Sequence, residues 1–275
     1  MEVGVTLRLM GDSATAEIVS DCALRAEASG LDSIWVPDHI AIPPDDAEGS
    51  NGRYLDALAS LAWLAARTSR IALGLGVLVL PYRRALTTAK WLATIQELSG
   101  ERLRVGVGVG WMDPEFRALG IERRRRGRDS DEVLDLLNRA FSAEDDIVIE
   151  HDQPFLFRPR PARPPILVGG SGAHALERAA RFGDGWLPMQ SDPGQLAAPI
   201  EELRERFEAA GKPPPQVACF TSLPRGELQA GLDQAETLRE VGVTQIIQGT
   251  RYATADEFAE SLEPAAEIRR ALADG

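Results

Sequence analysis

Several short stretches carry the residue types from which a chemical site could be built. Asp38-His39 sets a carboxylate beside an imidazole at the end of the apolar run Ser33–Val36. An imidazole exchanges protons near neutral pH, and its neighbours tune it. The same pair is also compatible with solvated loop residues. Gly169-Gly170-Ser171-Gly172 opens directly onto a helical pattern. Free backbone N–H groups at a helix start suit a phosphate, with Ser171 as an added donor or as the helix cap. The competing reading is a plain strand-to-helix turn, although one turn does not need so many glycines. Gly106-Val107-Gly108-Val109-Gly110-Trp111 strips side chains from one face of a strand and leaves a flat slot for a planar ring, with Trp111 closing it. Tight packing inside a narrow barrel is the alternative there. Gly74 and Gly76 likewise permit close approach by a ligand or mark a bulge. None of these glycines has the spacing of a dinucleotide fingerprint.

Other candidates point elsewhere. The run Arg123-Arg124-Arg125-Arg126-Gly127-Arg128 either holds an anionic cofactor tail or pairs with Glu122, Asp129, Asp131 and Glu132. His151 lies in a polar turn and His174 in the first turn of a helix, so three scattered histidines argue against a His-rich metal centre. Cys22 and Cys219 are far apart and read as small core residues rather than a disulfide or zinc pair. A net charge of −12 disfavours nucleic acid. No signal peptide and no membrane-length apolar run are evident, so a cytoplasmic protein without a membrane partner is expected.

These stretches need a scaffold that brings them together. Eight apolar runs read as strands: Val3–Leu9, Ser33–Val36, Arg70–Leu80, Leu103–Val109, Ile166–Val168, Trp186–Pro188, Val217–Ser222 and Thr244–Ile247. Several are almost continuously apolar, as parallel strands covered on both faces are. Amphipathic stretches alternate with them: Ala14–Ser29, Leu55–Arg67, Leu86–Leu98, Asp131–Phe141, Ala173–Phe182, Gln195–Ala209, Glu227–Val241 and Ala255–Ala273. Gly30, Gly100, Gly183, Gly211 and Gly242 stand where helices should stop. The repeating unit predicts an α/β fold, a (β/α)₈ TIM barrel over residues 1–275 as one domain, with an open doubly wound sheet as runner-up. An insertion at about 111–165, after the fourth strand, contains one helix and a hairpin pairing Asp146–Glu150 with Phe155–Arg158. In such barrels chemistry sits at the C-terminal strand ends, where Asp38-His39 and the three glycine-rich stretches fall.

Taken in order, these residues resemble the luciferase-like monooxygenase superfamily, in particular its F420-dependent oxidoreductases. The likeness is carried by Leu31–His39, Thr68–Gly74, Leu98–Arg102 with Gly106–Trp111, Pro165–Gly172 and Ala180–Trp186. The resemblance implies coenzyme F420, or alternatively FMN, in the strand-end pocket. Asp38 would contact the ring system, and His39 would assist proton transfer or orient substrate. A non-proline cis peptide would lie within Gly74–Leu78, so that Gly74, Gly76 and Val77 brace one face of the ring. Gly108, Gly110 and Trp111 would border it, and Gly169, Gly170, Ser171 and Gly172 would hold the phosphate. Some F420 alcohol and sugar-phosphate dehydrogenases carry an acid just after the first strand. Here that region reads Met10-Gly11-Asp12-Ser13, with Asp12 resembling a helix start. Reduction of an enone or imine, or monooxygenation, is therefore expected rather than alcohol or sugar-phosphate oxidation. An FMN-dependent monooxygenase and a flavin-binding barrel without turnover are the rival readings, and relatives of this kind are often homodimers.

Overall fold

In the computed structural model, which describes residues 1–142 and 145–274, strands and helices alternate along the chain. β1 (Glu2–Thr6), α1 (Ala16–Ala28), β2 (Ser33–Val36), α2 (Ala57–Arg67), β3 (Ala72–Val79), α3 (Ala85–Ser99) and β4 (Leu103–Gly108) form the first half. Next come α4 (Asp113–Ala118), α5 (Arg126–Ser142) and a hairpin of β5 (Ile147–Glu150) and β6 (Gln153–Leu156). The second half is β7 (Ile166–Gly169), α6 (Ala173–Phe182), β8 (Gly185–Leu187), α7 (Pro193–Ala209), β9 (Gln216–Thr221), α8 (Leu228–Glu240), β10 (Gln245–Gln248) and α9 (Ala255–Asp274).

Eight parallel strands close in the order β1-β10-β9-β8-β7-β4-β3-β2, with β1 paired to both β10 and β2. The expected TIM barrel is therefore the observed one. Parallel pairing puts all eight C-terminal ends at one mouth, so the stretches after β2, β3, β4 and β7 meet there. β1, β3 and β4 are shorter than their apolar patterns, ending at Thr6, Val79 and Gly108, while the other strands match theirs to within a residue at each end.

Residues alternate between two cores. Outward side chains such as Val3, Val5, Ile34, Leu73 and Val105 are buried against the helices. Inward, Trp35, Leu167, Leu187, Ala218 and Ile247 fill the barrel, with Val77 and Phe220 packed on them. The Trp35 indole fits only because Gly74 lies opposite, where an added Cβ would stand 2.3 Å from Trp35 Cδ2. Its buried N–H donates to Ser33 Oγ at 2.8 Å, which satisfies the polar handle of an otherwise apolar ring.

The inserted segment holds more than expected. It has α4 as well as α5, and α5 begins at Arg126, inside the arginine run, rather than at Asp131. The hairpin pairs Ile147–Glu150 with Gln153–Leu156, a tighter register than expected, because His151 and Asp152 both take positive φ and close a two-residue turn. Of the run itself, Arg123, Arg124, Arg125 and Arg128 pair with Asp113, Glu122, Asp129 and Glu132. Asp131 pairs instead with Arg178. Four of the run's five arginines are thus paired on the insertion's own surface, and Arg126 donates to the Arg123 carbonyl.

Candidate active site

Asp38 and His39 leave β2 in opposite directions. The Asp38 carboxylate is wholly enclosed and accepts Arg83 Nη1 and Nη2 at 2.7 and 2.8 Å and the Val79 N–H at 3.0 Å. The paired guanidinium supplies the counter-charge that a buried carboxylate needs. Arg83 also reaches Asp56 Oδ2 at 2.9 Å, and Asp56 caps α2 through Ala59 N. Asp38 therefore ties the ends of β2 and β3 together through Arg83 and Val79.

His39 faces the mouth. Its Nδ1 lies 2.9 Å from Oε2 of Glu115, a residue of α4 with no solvent exposure. Glu115 also accepts the N–H groups of Ile40 and Ala41 on Oε1, at 2.7 and 2.9 Å, and the Tyr82 hydroxyl on Oε2 at 2.9 Å. Burial pushes the Glu115 pKa up, but these four donors outweigh it and hold the carboxyl below its ordinary range. Burial and the adjacent Glu115 carboxylate keep Tyr82 protonated by pushing its phenol upward. An ionised carboxylate only accepts, so the proton on His39 sits at Nδ1 and the Nε2 lone pair is left for other partners. Tyr54 stands edge-on to the imidazole at 5.1 Å and Trp111 at 6.5 Å. Glu115 escaped the sequence reading. Its one signal is Asp113-Pro114 opening a short helix after the glycine-rich strand, which says nothing about burial.

The glycines divide into two groups. The space left by Gly74 and Gly76 is taken by Trp35 and Phe220, with the Phe220 ring 2.6 Å from a Cβ on Gly76. Both are packed from inside the barrel by these two rings. At the mouth, β3 changes register between Leu75 and Leu78, and the Gly76–Val77 peptide is cis. The bulge turns Val77 onto β4 and β7, where a Cβ on Gly108 would come within 2.6 Å of it and one on Gly169 within 2.9 Å. Val77 thus occupies the slot expected along β4 and becomes the floor of the mouth. Gly110 turns with φ +78° and is backed by Val79 and Phe116. Trp111 stays 66% exposed at the rim instead of closing the slot, and Ile40 after β2 and Met189 after β8 are exposed large apolar residues two strands away on either side of β4.

Across the mouth, Gly170 and Gly172 take φ of +126° and +79°, and space is open where a Cβ on Gly172 would point. The Trp186 indole fixes this turn by donating to the Gly170 carbonyl at 2.8 Å. Gly172, not Ser171, is the cap of α6, and no side chain satisfies the helix's first N–H groups. Those donors, the dipole behind them and the absence of side-chain bulk fit a phosphate. With an apolar floor and rim beside them, the residues present fit a flavin-type cofactor. Asp12 lies exposed in a turn, and Thr15 is the cap of α1. A cavity of about 930 Å³ lies behind Tyr82 and Arg83, between α5 and the hairpin, and includes none of the mouth residues His39, Trp111 or Gly170–Gly172.

The sequence profile of the luciferase-like monooxygenases matches residues 3–275. The chain belongs to the luciferase-like monooxygenase family. An uncharacterised protein of Mycobacterium tuberculosis is 32% identical over 246 residues, 83% of each chain. An F420-dependent glucose-6-phosphate dehydrogenase of Kineococcus radiotolerans is 32% identical over 212 residues, 72% of this chain and 60% of its own. Among solved structures, a monooxygenase of Streptomyces bottropensis superposes with a TM-score of 0.81 at 20% identity, covering 99% of this chain and all of its own. The oxygenating constituent of a Baeyer–Villiger monooxygenase of Pseudomonas putida, solved with FMN, gives 0.77 at 15% identity, covering 100% and 98%. Members of this family are thus oxidoreductases and monooxygenases, with F420-dependent and FMN-dependent proteins among the relatives. Among the described residues no helix is long and apolar enough to cross a membrane.

Proposed function

We propose that this family member is an oxidoreductase that passes hydride between coenzyme F420 and a small organic substrate, an enone or imine, at the barrel mouth. The observation that carries the reading is the His39–Glu115 pair. It leaves one imidazole nitrogen free at the mouth and holds the other whether the ring is neutral or charged. A proton can therefore come and go at Nε2 without the ring turning, as general acid–base work requires. When bound, a deazaflavin supplies the two-electron donor and acceptor carbon. Val77 would support the ring, and Gly169–Gly172 would take the phosphate on the backbone donors of α6. The apolar rim of Ile40, Trp111 and Met189 would keep water from the reacting atoms. The choice of F420 is supported by the F420-dependent relative at 32% identity, whereas the FMN-bound likeness lies in the fold.

Titration with F420 and with FMN, read by absorbance and fluorescence, tests the assignment. Binding of F420 in the micromolar range or tighter is expected. Tight FMN binding without F420 binding overturns it in favour of a monooxygenase. His39→Ala should lose turnover while keeping cofactor affinity, and full activity in that variant removes the role given to His39.

A further inference from the structure

Side chains alternate along β1 and the residues that follow it. Leu7 and Leu9 are buried on the helix side. Gly4 faces Ser33 and Trp35 inside the barrel, and Thr6 meets Thr250 at 3.1 Å. Arg8 is the next inward position. The chain is still paired there, with the Leu7 N–H donating to the Trp35 carbonyl, so Arg8 emerges at the mouth. Its backbone N–H is held by the Tyr252 hydroxyl at 2.8 Å.

Among the described residues its guanidinium has no carboxylate in ion-pair range, and its enclosed Nε has no hydrogen-bond partner. Arg104 and Arg160 also have one enclosed nitrogen without a partner, but each is paired with an acid, Glu2 at 3.5 Å and Asp146 at 2.7 Å. Of these three arginines Arg8 alone lacks an acid partner. Tyr54 is the neighbour Arg8 shares with the site. Its phenol feels the Arg8 charge, its hydroxyl reaches Met10 Sδ at 3.2 Å, and its ring lies against His39.

We infer that Arg8 anchors the carboxylate of an apolar-bodied organic acid in the mouth, an assignment that rests on the mouth being the active site proposed above. A guanidinium fork matches a carboxylate with two parallel N–H donors. The exposed Ile40, Trp111 and Met189 suit the apolar remainder of the ligand. The anion is not the cofactor's phosphate. In the ring of eight strands β1 and β7 are four steps apart in either direction, so Arg8 and the Gly170–Gly172 turn stand on opposite sides of the mouth.

The test titrates the full-length protein, with and without cofactor, with benzoate and its neutral near-isostere benzamide. Wild type, Arg8→Met and Arg8→Lys are compared by calorimetry. Wild type should bind benzoate at least tenfold more tightly than benzamide. Arg8→Met should bring the two within threefold, and Arg8→Lys should keep part of the preference. Equal binding of the two probes by wild type overturns the inference without needing any variant. So does an unchanged preference in Arg8→Met, or an Arg8→Met effect confined to cofactor affinity. Failure of both F420 and FMN to bind defeats the cofactor reading alone, since the benzoate comparison is also read on the cofactor-free protein.

Discussion

Replacing Glu115 separates its structural from its chemical part. Glu115→Ala abandons the N–H groups of Ile40 and Ala41, the Tyr82 hydroxyl and the His39 Nδ1–H, the Tyr82 bond being fully buried and the others partly so. An unmet buried donor costs about 1–3 kcal/mol, and breaking a buried charged constellation about 3–5 kcal/mol. With part of that relieved by water, a loss of about 4 kcal/mol is expected, or roughly 10 °C in Tm for a chain of this size. Glu115→Gln keeps the shape. Its amide oxygen can still serve the two backbone donors, but its NH₂ group replaces Oε2 and faces His39. The imidazole must then accept at Nδ1 and carry its proton at Nε2, the wrong tautomer for taking a proton from the mouth. Stability should fall by only about 1 kcal/mol, while kcat/KM falls about 10²-fold. The assay is initial rate with the bound cofactor between pH 6 and 9, beside calorimetric melting of the same samples. Because the folded pKa of Glu115 is lowered, its contribution to stability is present above the ordinary carboxylate value of 4.5 and lost as pH falls below it. Wild type should therefore lose Tm more steeply than Glu115→Gln in that acid range. A Glu115→Gln enzyme with wild-type rates and an unchanged pH profile refutes the reasoning.

Two further substitutions probe the floor and the frame. Gly108→Ala puts a methyl group 2.6 Å from Val77 Cγ2 and drives that side chain toward the mouth. It should cost about 1–3 kcal/mol and weaken cofactor binding at least tenfold, with Val77→Ala in the same chain restoring affinity by titration. Glu27 accepts the N–H groups of Ser69, Arg70 and Ile71 at 2.8, 2.6 and 3.0 Å, and against the opposing effect of burial they hold it at about 2. Glu27→Ala should cost about 2–3 kcal/mol in urea unfolding at pH 7. Since the folded pKa is depressed, the gap to wild type should close as pH drops from 4.5 toward about 2.

The barrel was legible because parallel strands buried on both faces leave almost unbroken apolar runs, and glycines after helices mark the stops. Gly100, for example, takes the left-handed φ of +66° that ends α3. The strand-end location of His39 and of the Gly170–Gly172 turn followed from topology alone. Three things were not legible. Glu115 is a charged residue in a short amphipathic stretch, and only donors from the β2 end and from Tyr82 make its burial tolerable. Asp38 and His39 are adjacent, so no local pattern says which of them turns toward Arg83 and which toward the mouth. Glycine at Gly74 and at Gly172 looks the same in sequence. One accommodates the Trp35 ring and the other opens onto free space, a difference set by residues far along the chain.

The contacts of Glu115 and Arg83 also bear on how the chain between β2 and α2 can change in evolution. Its first residues, Ile40 and Ala41, are fastened to Glu115. Its last are fastened by the Leu55 N–H to the Leu9 carbonyl and by Asp56 to Arg83. Arg53 and Tyr54 add ties to Gly11, Ala14 and Met10, so it is residues 42–52 that answer to their own local turns, such as the Ser50 N–H on the Ala47 carbonyl. Doubling such a segment costs only about 0.6 kcal/mol in closure entropy. Added length there would reshape what the mouth admits while leaving the imidazole and its carboxylate where they are.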